Sequence, residues 1–296
     1  MIANARMYAV DAQTGELWRE LLATVTAQAG LNVEVIEHAP PAAIDDLWHR
    51  PDMAAVFMCG LPYSRANPQP TLIAAPVPAP AEFAARPEYW SELVVRSDSR
   101  FEDLESTFGG KLCLTAPNSQ SGYAAALQYL VAFDMARDST ARDSTTRHSK
   151  AGARSPLYRE IVAPAVTPLG AATAVVAGAA DVAPIDAYAY RLLQKYRGDL
   201  TSKLRTVART ARTPIPALVA SIAVVASTAA AQGLRAAFTA AHRDPALRVL
   251  LTGLELSHFV TPDPRGYDAL RINFQSATAY WREHPLAEIV HRAFVV

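Results

Sequence analysis

Strand-like and helical patterns of apolar residues alternate along the first sixty residues. Two stretches have strand character, and a third, MAAVFM, is a continuous apolar run typical of a buried strand. Between them lie two stretches with apolar residues at helical spacing, and the first of these follows Asp11, a good N-cap residue. The predicted strands are 2–8, 31–37 and 53–58, and the predicted helices are 11–30 and 42–49. This β-α-β-α-β order predicts a parallel sheet with ligands bound beyond the carboxyl ends of its strands.

A second series of strands and helices follows. It is preceded by TLIAAPVPAPAEF, whose prolines exclude a long helix and predict an extended edge segment or a connection. The predicted strands are 92–96, 111–116, 180–185, 204–210 and 217–225, and 156–161 is predicted to be a helical turn. The predicted helices are 124–133, 169–177, 187–196, 229–241, 245–253 and 267–280. The pattern therefore predicts two α/β lobes, one formed by 1–92 and 210–296 and the other by 93–209.

The second lobe is interrupted by ARDSTARDSTTRHSKAGARS, which contains a near-repeat of ARDST and few apolar residues. Such a composition cannot contribute to a hydrophobic core, so we expect a flexible surface insert around residues 136–155. Its arginines alternate with aspartates, which favours a solvated linker over a phosphate-binding segment.

The most informative stretch is LCLTAPNSQSGYAAALQYLVAF, residues 112–133. It predicts a strand, a polar turn and a helix, and the turn Asn118-Ser-Gln-Ser-Gly-Tyr123 lies at the start of that helix. Free amides and the positive end of the helix dipole make such a terminus a suitable anion site. The stretch contains no Lys or Arg, so an anion would be held by neutral donors. The alternative is that Ser121 caps the helix and the turn is solvated.

Composition narrows the classes of function. The 296 residues carry 28 basic and 28 acidic side chains, a balance that favours neither nucleic acid nor an anionic membrane as partner. No apolar run is long enough to span a bilayer, so a protein that does not cross the membrane is expected. The start of the chain lacks a secretory signal pattern. We therefore expect a cytoplasmic protein if Met1 is the native start, and a periplasmic one if a leader has been removed.

Catalytic and metal motifs are not found in the sequence. It lacks H-E-x-x-H, G-x-S-x-G, a P-loop and G-x-G-x-x-G, and its seven histidines have no metal-ligand spacing. We expect no metal, no cofactor and no enzymatic activity. Cys59 and Cys113 lie in separate apolar runs and are predicted to be buried thiols.

Five motifs in order resemble the phosphate/phosphonate-type substrate-binding proteins of ABC transporters. These motifs are MY at 7–8, CGLPY at 59–63, YWSELVVR at 89–96, NSQSGY at 118–123 and VVAGAADVAPID at 175–186. The resemblance covers nearly the whole chain apart from the insert. It implies the two-lobed type 2 periplasmic-binding-protein fold, with crossing strands between α/β lobes, a small anionic ligand in the cleft, and an ABC permease as partner.

The resemblance also implies a set of ligand-binding residues. The turn would supply hydroxyls and amides to an oxyanion, and two tyrosines would face it from the other lobe. The family usually carries a histidine where this chain has Thr167-Pro168, so Thr167 would be a neutral donor there. The predicted ligand residues are Tyr8, Tyr63, Asn118, Ser119, Gln120, Ser121, Gly122, Tyr123, Thr167 and Asp186.

Several alternatives stay open at this stage. Either tyrosine could be an ordinary core aromatic, and Trp90 could wall a cleft or fill a core. Asp186 could cap the following helix or bind a ligand amine. A cytoplasmic enzyme or ligand sensor on the same fold is the alternative function, because the fold alone does not separate these classes.

Overall fold

The structure is a computed structural model that describes residues 1–143, 155–226 and 228–294. It contains these strands: β1 Ile2–Asn4, β2 Glu34–Val35, β3 Met53–Met58, β4 Thr71–Pro78, β5 Glu88–Tyr89, β6 Ser91–Arg96, β7 Lys111–Cys113, β8 Glu160–Val162, β9 Val182–Asp186, β10 Leu204–Arg209, β11 Thr213–Pro214, β12 Ala217–Ala220 and β13 Leu256–Val260. The α-helices are α1 Ala12–Gln28, α2 Ile44–Trp48, α3 Gly60–Arg65, α4 Ala125–Asp143, α5 Pro168–Val176, α6 Ala187–Tyr196, α7 Gly198–Thr201, α8 Thr228–Ala240, α9 Pro245–Gly253, α10 Arg265–Arg282 and α11 Leu286–Phe294.

The chain divides into two compact units. Unit 1 comprises Met1–Tyr89, Ala187–Gly198 and Arg212–Leu270, and unit 2 comprises Trp90–Asp186, Asp199–Ala211 and Arg271–Val296. Apart from small shifts at the boundaries, the predicted lobes differ from these units at two places, since α6 belongs to unit 1 and the chain after residue 270 to unit 2. Packing explains both differences. The Tyr188 hydroxyl donates to the Leu254 carbonyl at 2.7 Å in unit 1, and the Trp281 indole donates to the Leu127 carbonyl at 2.9 Å in unit 2.

Unit 1 is built on a six-stranded sheet in the order β13-β4-β12-β3-β1-β2. β1, β2 and β3 are parallel, as the β-α-β-α-β pattern predicts, whereas β12 runs antiparallel to both β3 and β4. Helix α1 begins with a capping box in which Asp11 and Thr14 bond each other's backbone amides. Its buried face, which includes Trp18, Leu21 and Leu22, packs into the core of unit 1.

The proline-rich segment, predicted to be an extended edge segment or a connection, contains instead an interior strand, β4. β4 is flanked by β12 on one side and β13 on the other. The prolines are tolerated because the pairing with β12 ends at Ala74, before Pro76 and Pro78 are reached. Beyond that point these two prolines pair only with β13, where the register is irregular.

Unit 2 is built on a five-stranded sheet in the order β10-β6-β9-β7-β8. β7, β8 and β9 are parallel, and β6 is antiparallel to both β9 and β10. The predicted helical turn at 156–161 is wrong, because residues 156–159 are not helical and Glu160–Val162 pairs in register with Lys111–Cys113 as strand β8. The core of this unit includes Leu112, Leu130 and Tyr158, together with Trp281 and Leu286 from the end of the chain.

The predicted surface insert lies mostly outside the described residues. Helix α4 continues to Asp143, so the first part of the segment around 136–155 is helical, and residues 144–154 are not described. Cys59 and Cys113 are buried thiols that are not joined in a disulfide within the described chain, as expected from the apolar runs that contain them.

Candidate functional site

Most of the candidate residues lie at one edge of the unit 2 sheet, where the strands begin or end. Because β7, β8 and β9 are parallel, their carboxyl ends lie at the same edge. β6 runs the opposite way, so its amino end lies there too, and the carboxyl end of β10 lies beside it. We call this the carboxyl edge of unit 2. The residues at these strand ends or in the loops and turn that follow them are Ser91, Glu92, Thr115, Ser119, Gln120, Ser121, Thr167, Asp186 and Arg209.

The turn after β7 is held in shape by its own hydrogen bonds. Ser119 is the N-cap, and its hydroxyl accepts the Gly122 amide at 2.9 Å. Residues Gln120–Ala124 form a π-helical turn that continues into α4, with the Ala124 amide donating to the Ser119 carbonyl at 3.1 Å. The predicted strand, turn and helix are therefore present, but Ser119 rather than Ser121 is the cap.

The first turn of this helix retains unused hydrogen-bonding groups. In the described part of the chain, the amides of Gln120 and Ser121 donate to no backbone or side-chain acceptor. The side chain of Gln120 is 2% exposed, and its Oε1 atom has no donor among the described residues. Buried polar atoms are normally paired, so this unpaired acceptor at a helix terminus with free amides is consistent with a ligand site.

Gly122 is required by packing within the turn. A β-carbon on this residue would collide with the Oγ1 of Thr115 and would lie 2.7 Å from its Cγ2 and 2.9 Å from its Cβ. Thr115 is 5% exposed, and its hydroxyl also has no partner within the described residues. The Thr115 amide donates to the Gly122 carbonyl at 3.1 Å. A second enclosed hydroxyl therefore lies against the turn.

Ser91 fixes the position of the turn relative to the sheet. Its hydroxyl donates to the Ser121 carbonyl at 2.8 Å, and its amide donates to the hydroxyl of Thr210 at 2.9 Å. In the β6–β9 pair, Ser91 is opposite Asp186, which is 5% exposed. The structure therefore brings Asp186 and the predicted turn to the same edge.

Thr167 caps the helix that follows β8. Its hydroxyl accepts the Gly170 amide at 3.0 Å, and Pro168 occupies the first helical position. The Ala165 amide donates to the Leu114 carbonyl at 3.0 Å, so the loop that carries Thr167 follows the end of β7. The hydroxyl predicted to be a ligand donor accepts a cap bond in the structure.

Trp90, Glu92 and Arg209 form a charged cluster at this edge. The carboxylate of Glu92 accepts the Trp90 indole at 2.7 Å and pairs with Arg209 Nε at 3.0 Å. The Arg209 guanidinium carbon lies 5.5 Å from the centroid of the Trp90 ring. Glu92 is 4% exposed, whereas the Arg209 side chain is 55% exposed. The cluster therefore presents a cationic side chain, anchored to a buried carboxylate.

Tyr123 belongs to the core of unit 2. Its ring meets Phe294 and Phe274 at centroid distances of 5.5 and 6.2 Å, and burial raises the pKa of its phenol. Asn118 is half-buried at the beginning of the turn. Of the six turn residues, Ser119 is the N-cap, and Gln120 and Ser121 are the first two residues of the helix.

Tyr8 and Tyr63 are buried in unit 1. Tyr8 follows β1 and is 1% exposed, and its ring meets those of Phe57 and Tyr188 at 5.0 and 4.7 Å. Tyr63 lies in α3 directly after β3, and its ring meets that of Tyr267 at 5.2 Å. Burial, and then the charge of a nearby aspartate, raise the pKa of the Tyr63 phenol. Both follow carboxyl ends of parallel strands, as the sequence indicates, and their ligand role stays a prediction.

Sequence reasoning missed several residues of this edge. Thr115 gave no motif signal because its proximity to Gly122 depends on the return of the chain through the turn. Glu92 and Arg209 are separated by more than a hundred residues, and only the antiparallel β6–β10 pairing joins them.

Within the described chain, no group of three or more His, Cys, Asp or Glu side chains could hold a metal ion. No helix among the described residues is both long and apolar enough to cross a membrane.

The fold is shared by solved binding proteins. A binding-protein component of an ABC phosphonate transporter from Pseudomonas aeruginosa superimposes with a TM-score of 0.72 at 17% identity, covering 98% of this chain and 92% of that one. PhnD1 from Prochlorococcus marinus, in complex with methylphosphonate, gives 0.68 at 14% identity, covering 94% and 97%. A Xanthomonas citri protein bound to ATP gives 0.59 at 17% identity, covering 95% and 98%. These likenesses establish the periplasmic-binding-protein fold.

Family membership follows from the sequence itself. No curated protein matches the chain. The family described as "ABC transporter, phosphonate, periplasmic substrate-binding protein" matches residues 9–267, which include the turn after β7 and all of β6 to β10. The chain thus belongs to the phosphonate-type periplasmic substrate-binding family of ABC transporters and is a solute-binding protein.

Proposed function

We propose that this protein captures a small phosphonate- or phosphate-like oxyanion at the carboxyl edge of unit 2 and releases it unchanged to an ABC permease. The observation that carries the proposal is the turn after β7. The amides of Gln120 and Ser121 are unused within the described residues, and they lie at the positive end of a helix. Membership of a periplasmic family supports a location outside the cytoplasmic membrane.

Neutral donors suit capture and release. The stretch 112–133 contains no lysine or arginine, so a bound anion would be held by amide and hydroxyl dipoles. Arg209 supplies a cation at the same edge, but Glu92 already pairs with it. Phosphoryl transfer usually needs metal ions and unpaired cations around the phosphate. This arrangement therefore favours binding without catalysis.

The test is a thermal-shift series on the purified protein with phosphate, phosphite, methylphosphonate and sulfate. A ligand at about one hundred times its dissociation constant stabilises the folded state by about 2.7 kcal/mol. At roughly 2–4 °C per kcal/mol for a chain of this size, the midpoint should rise by several degrees. A folded protein that shows no shift with any of these oxyanions would overturn the proposal.

Ser121→Ala locates the site. No described group bonds the Ser121 hydroxyl, whereas the carbonyl that Ser91 bonds is retained in the variant. We therefore expect an unliganded midpoint close to that of the wild type and a weaker ligand-induced shift. Ser276→Ala is the matched control, because that serine lies on α10 in unit 2 and, among the described residues, its hydroxyl donates only to the Ile272 carbonyl. Equal shifts in both variants would place the ligand elsewhere.

Tyr8 and Tyr63 are further proposed ligand residues. Phenylalanine in place of either tyrosine keeps the ring contacts with Tyr188 and Tyr267 and removes only the hydroxyl. If the phenols bind the ligand, each variant should lose affinity for the oxyanion found in the series while retaining its fold. Unchanged affinity in both variants would assign these tyrosines to the core alone.

A further inference from the structure

We propose that unit 1 carries an anion site of its own, in which the guanidinium of Arg6 binds a small carboxylate through its Nε and Nη2 atoms. Arg6 follows the end of β1, which is parallel to both β2 and β3. Ligands of α/β proteins bind beyond the carboxyl ends of such strands. The inference does not depend on the turn after β7 and goes beyond the proposed function.

The side chain of Asn4 fixes the backbone around Arg6. Asn4 is the last residue of β1 and is 5% exposed. Its Oδ1 atom accepts the Arg6 amide at 2.9 Å, and its Nδ2 atom donates to the Ile36 carbonyl at 2.8 Å, just after β2. The end of β1 is thereby joined to the segment that carries His38.

One nitrogen of the Arg6 guanidinium is fully used within the protein. Nη1 lies 2.8 Å from Nδ1 of His38 and donates to the Ala42 carbonyl at 2.5 Å. Arginine can only donate, so Nδ1 of His38 must accept and carries no proton of its own. Both protons of Nη1 are engaged by uncharged groups, and the guanidinium plane is held in place.

The other edge of the guanidinium, formed by Nε and Nη2, remains open. Within the described chain these two atoms donate to no acceptor, and neither is fully enclosed. No described Asp or Glu forms an ion pair with Arg6, and burial lowers the pKa of its guanidinium. A half-buried cation without a counter-ion gains electrostatic stabilisation when an anion binds.

Two other arginines of this protein show the pairing that we expect at the open edge. Nε and Nη2 of Arg50 donate to the two carboxylate oxygens of Asp52 at 2.9 and 2.8 Å. Arg96 holds Asp98 in the same way at 2.9 and 2.6 Å. Two parallel N–H groups match two coplanar oxygens, which makes such bidentate pairs strong and specific. Arg6 presents this edge without an acid of the chain, so a ligand carboxylate fits it.

Acetate is the probe, and acetamide is its control because it has a similar shape and no charge. In an NMR titration of the wild-type protein, the Nε–H signal of Arg6 should move downfield and saturate with acetate, and should not respond to acetamide. The Nε–H signal of Arg50 should stay in place, because Asp52 already occupies that edge. An Arg6 signal that does not respond to acetate in the folded protein would overturn the proposal.

Arg6→Lys keeps the positive charge and removes the two-pronged edge. Acetate affinity, followed by the backbone amide signals of Ala5 and Met7, should fall about tenfold or more, the factor that corresponds to ~1.4 kcal/mol. Arg50→Lys is the matched control, because that arginine is also in unit 1 and already has its carboxylate. It should retain the wild-type affinity. Equal acetate affinities in Arg6→Lys and the wild type would refute binding through the Arg6 edge.

The outcomes separate this inference from the proposed function. If methylphosphonate stabilises the protein but the Arg6 signal ignores acetate, this inference fails and the proposed function stands. If Arg6 responds to acetate while no oxyanion of the thermal-shift series stabilises the protein, the reverse holds. Ser121→Ala should leave the acetate response of Arg6 unchanged. A stronger response of the Arg6 signal to methylphosphonate than to acetate at equal concentration would overturn the assignment to a carboxylate.

Discussion

Gly122→Ala is the substitution whose effect follows most directly from the geometry of the turn. The new β-carbon would meet three atoms of Thr115 at less than 3.0 Å, a separation that real contacts essentially never show. A rotation of the Thr115 side chain could move Oγ1 and Cγ2, but its Cβ, at 2.9 Å, is fixed by the backbone. The backbone is itself held by the Gly122 amide on Ser119 and the Thr115 amide on Gly122.

The expected loss of stability is the balance of two effects. Alanine in place of glycine in an unstrained helical position gains about 0.5–1 kcal/mol. Overpacking of this kind costs typically about 1–3 kcal/mol. Because all three contacts are short and one cannot be relieved by rotation, we expect a net loss of about 2 kcal/mol, or a fall of roughly 4–8 °C in the midpoint.

A double-mutant cycle assigns the loss to this contact. Thr115→Ala removes two of the three colliding atoms and a hydroxyl that bonds nothing within the described residues, so it should cost little alone. Combined with Gly122→Ala it should recover about 1 kcal/mol, measured by denaturant unfolding. Gly198→Ala is the control, because a β-carbon there meets nothing within 4 Å. Additive effects in the cycle, or an equal loss in the control, would refute the reasoning.

Three further predictions concern charged groups. Arg209→Ala leaves the buried carboxylate of Glu92 without its cation, so it should lower the free energy of unfolding by about 1–3 kcal/mol. Adding Glu92→Gln to this variant should restore part of the lost free energy, as measured by denaturant titration. Burial acts to raise the pKa of Glu255, but hydrogen bonds from a lysine and an arginine of α6 outweigh it and lower that pKa below its ordinary 4.5. The ionised Glu255 carboxylate therefore stabilises the folded protein above pH 4.5, and this stabilisation is lost as the pH falls further. Glu255→Gln should reduce the loss of unfolding free energy at acid pH, and an unchanged loss would contradict this. Burial and then the proximity of His242 lower the pKa of His258 below 6.5, so stability should fall as the pH drops below 6.5. His258→Phe should reduce that slope between neutral and mildly acidic pH, and an equal slope in wild type and variant would count against it.

The spacing of apolar residues and the N-cap residues predicted most helices, because both signals lie within a few residues of the helix that they indicate. Asp11 as N-cap, the helix from residue 187 to 196 and the helix that begins at Pro245 all match the structure closely. The strand, turn and helix around 112–133 is also present, since proline and the polar turn interrupt two apolar runs of different period.

Other elements depended on partners distant in sequence. β8 has only three residues and becomes a strand because β7 supplies its hydrogen bonds. β13 and α11 were not predicted, since β13 is defined by its pairing with β4 and α11 by its packing in the unit 2 core. The same limit applies to the candidate site. The sequence alone identified the serines of the turn as candidate ligand residues. Thr115 and the Glu92–Arg209 pair could be identified only from the folded structure.

The position of β12 in the unit 1 sheet has a consequence for the order in which this protein can fold during synthesis. β3 and β4 are complete by residue 78, but the strand that joins them begins at residue 217. Until then each has an unpaired edge facing the place that β12 later occupies. Long-range closure of this kind is slow relative to local helix formation. Because β13, the other neighbour of β4, ends only at Val260, a nascent chain cannot complete the first sheet before that residue. The edges of β3 and β4 that face the place of β12 are where a chaperone would have most to protect.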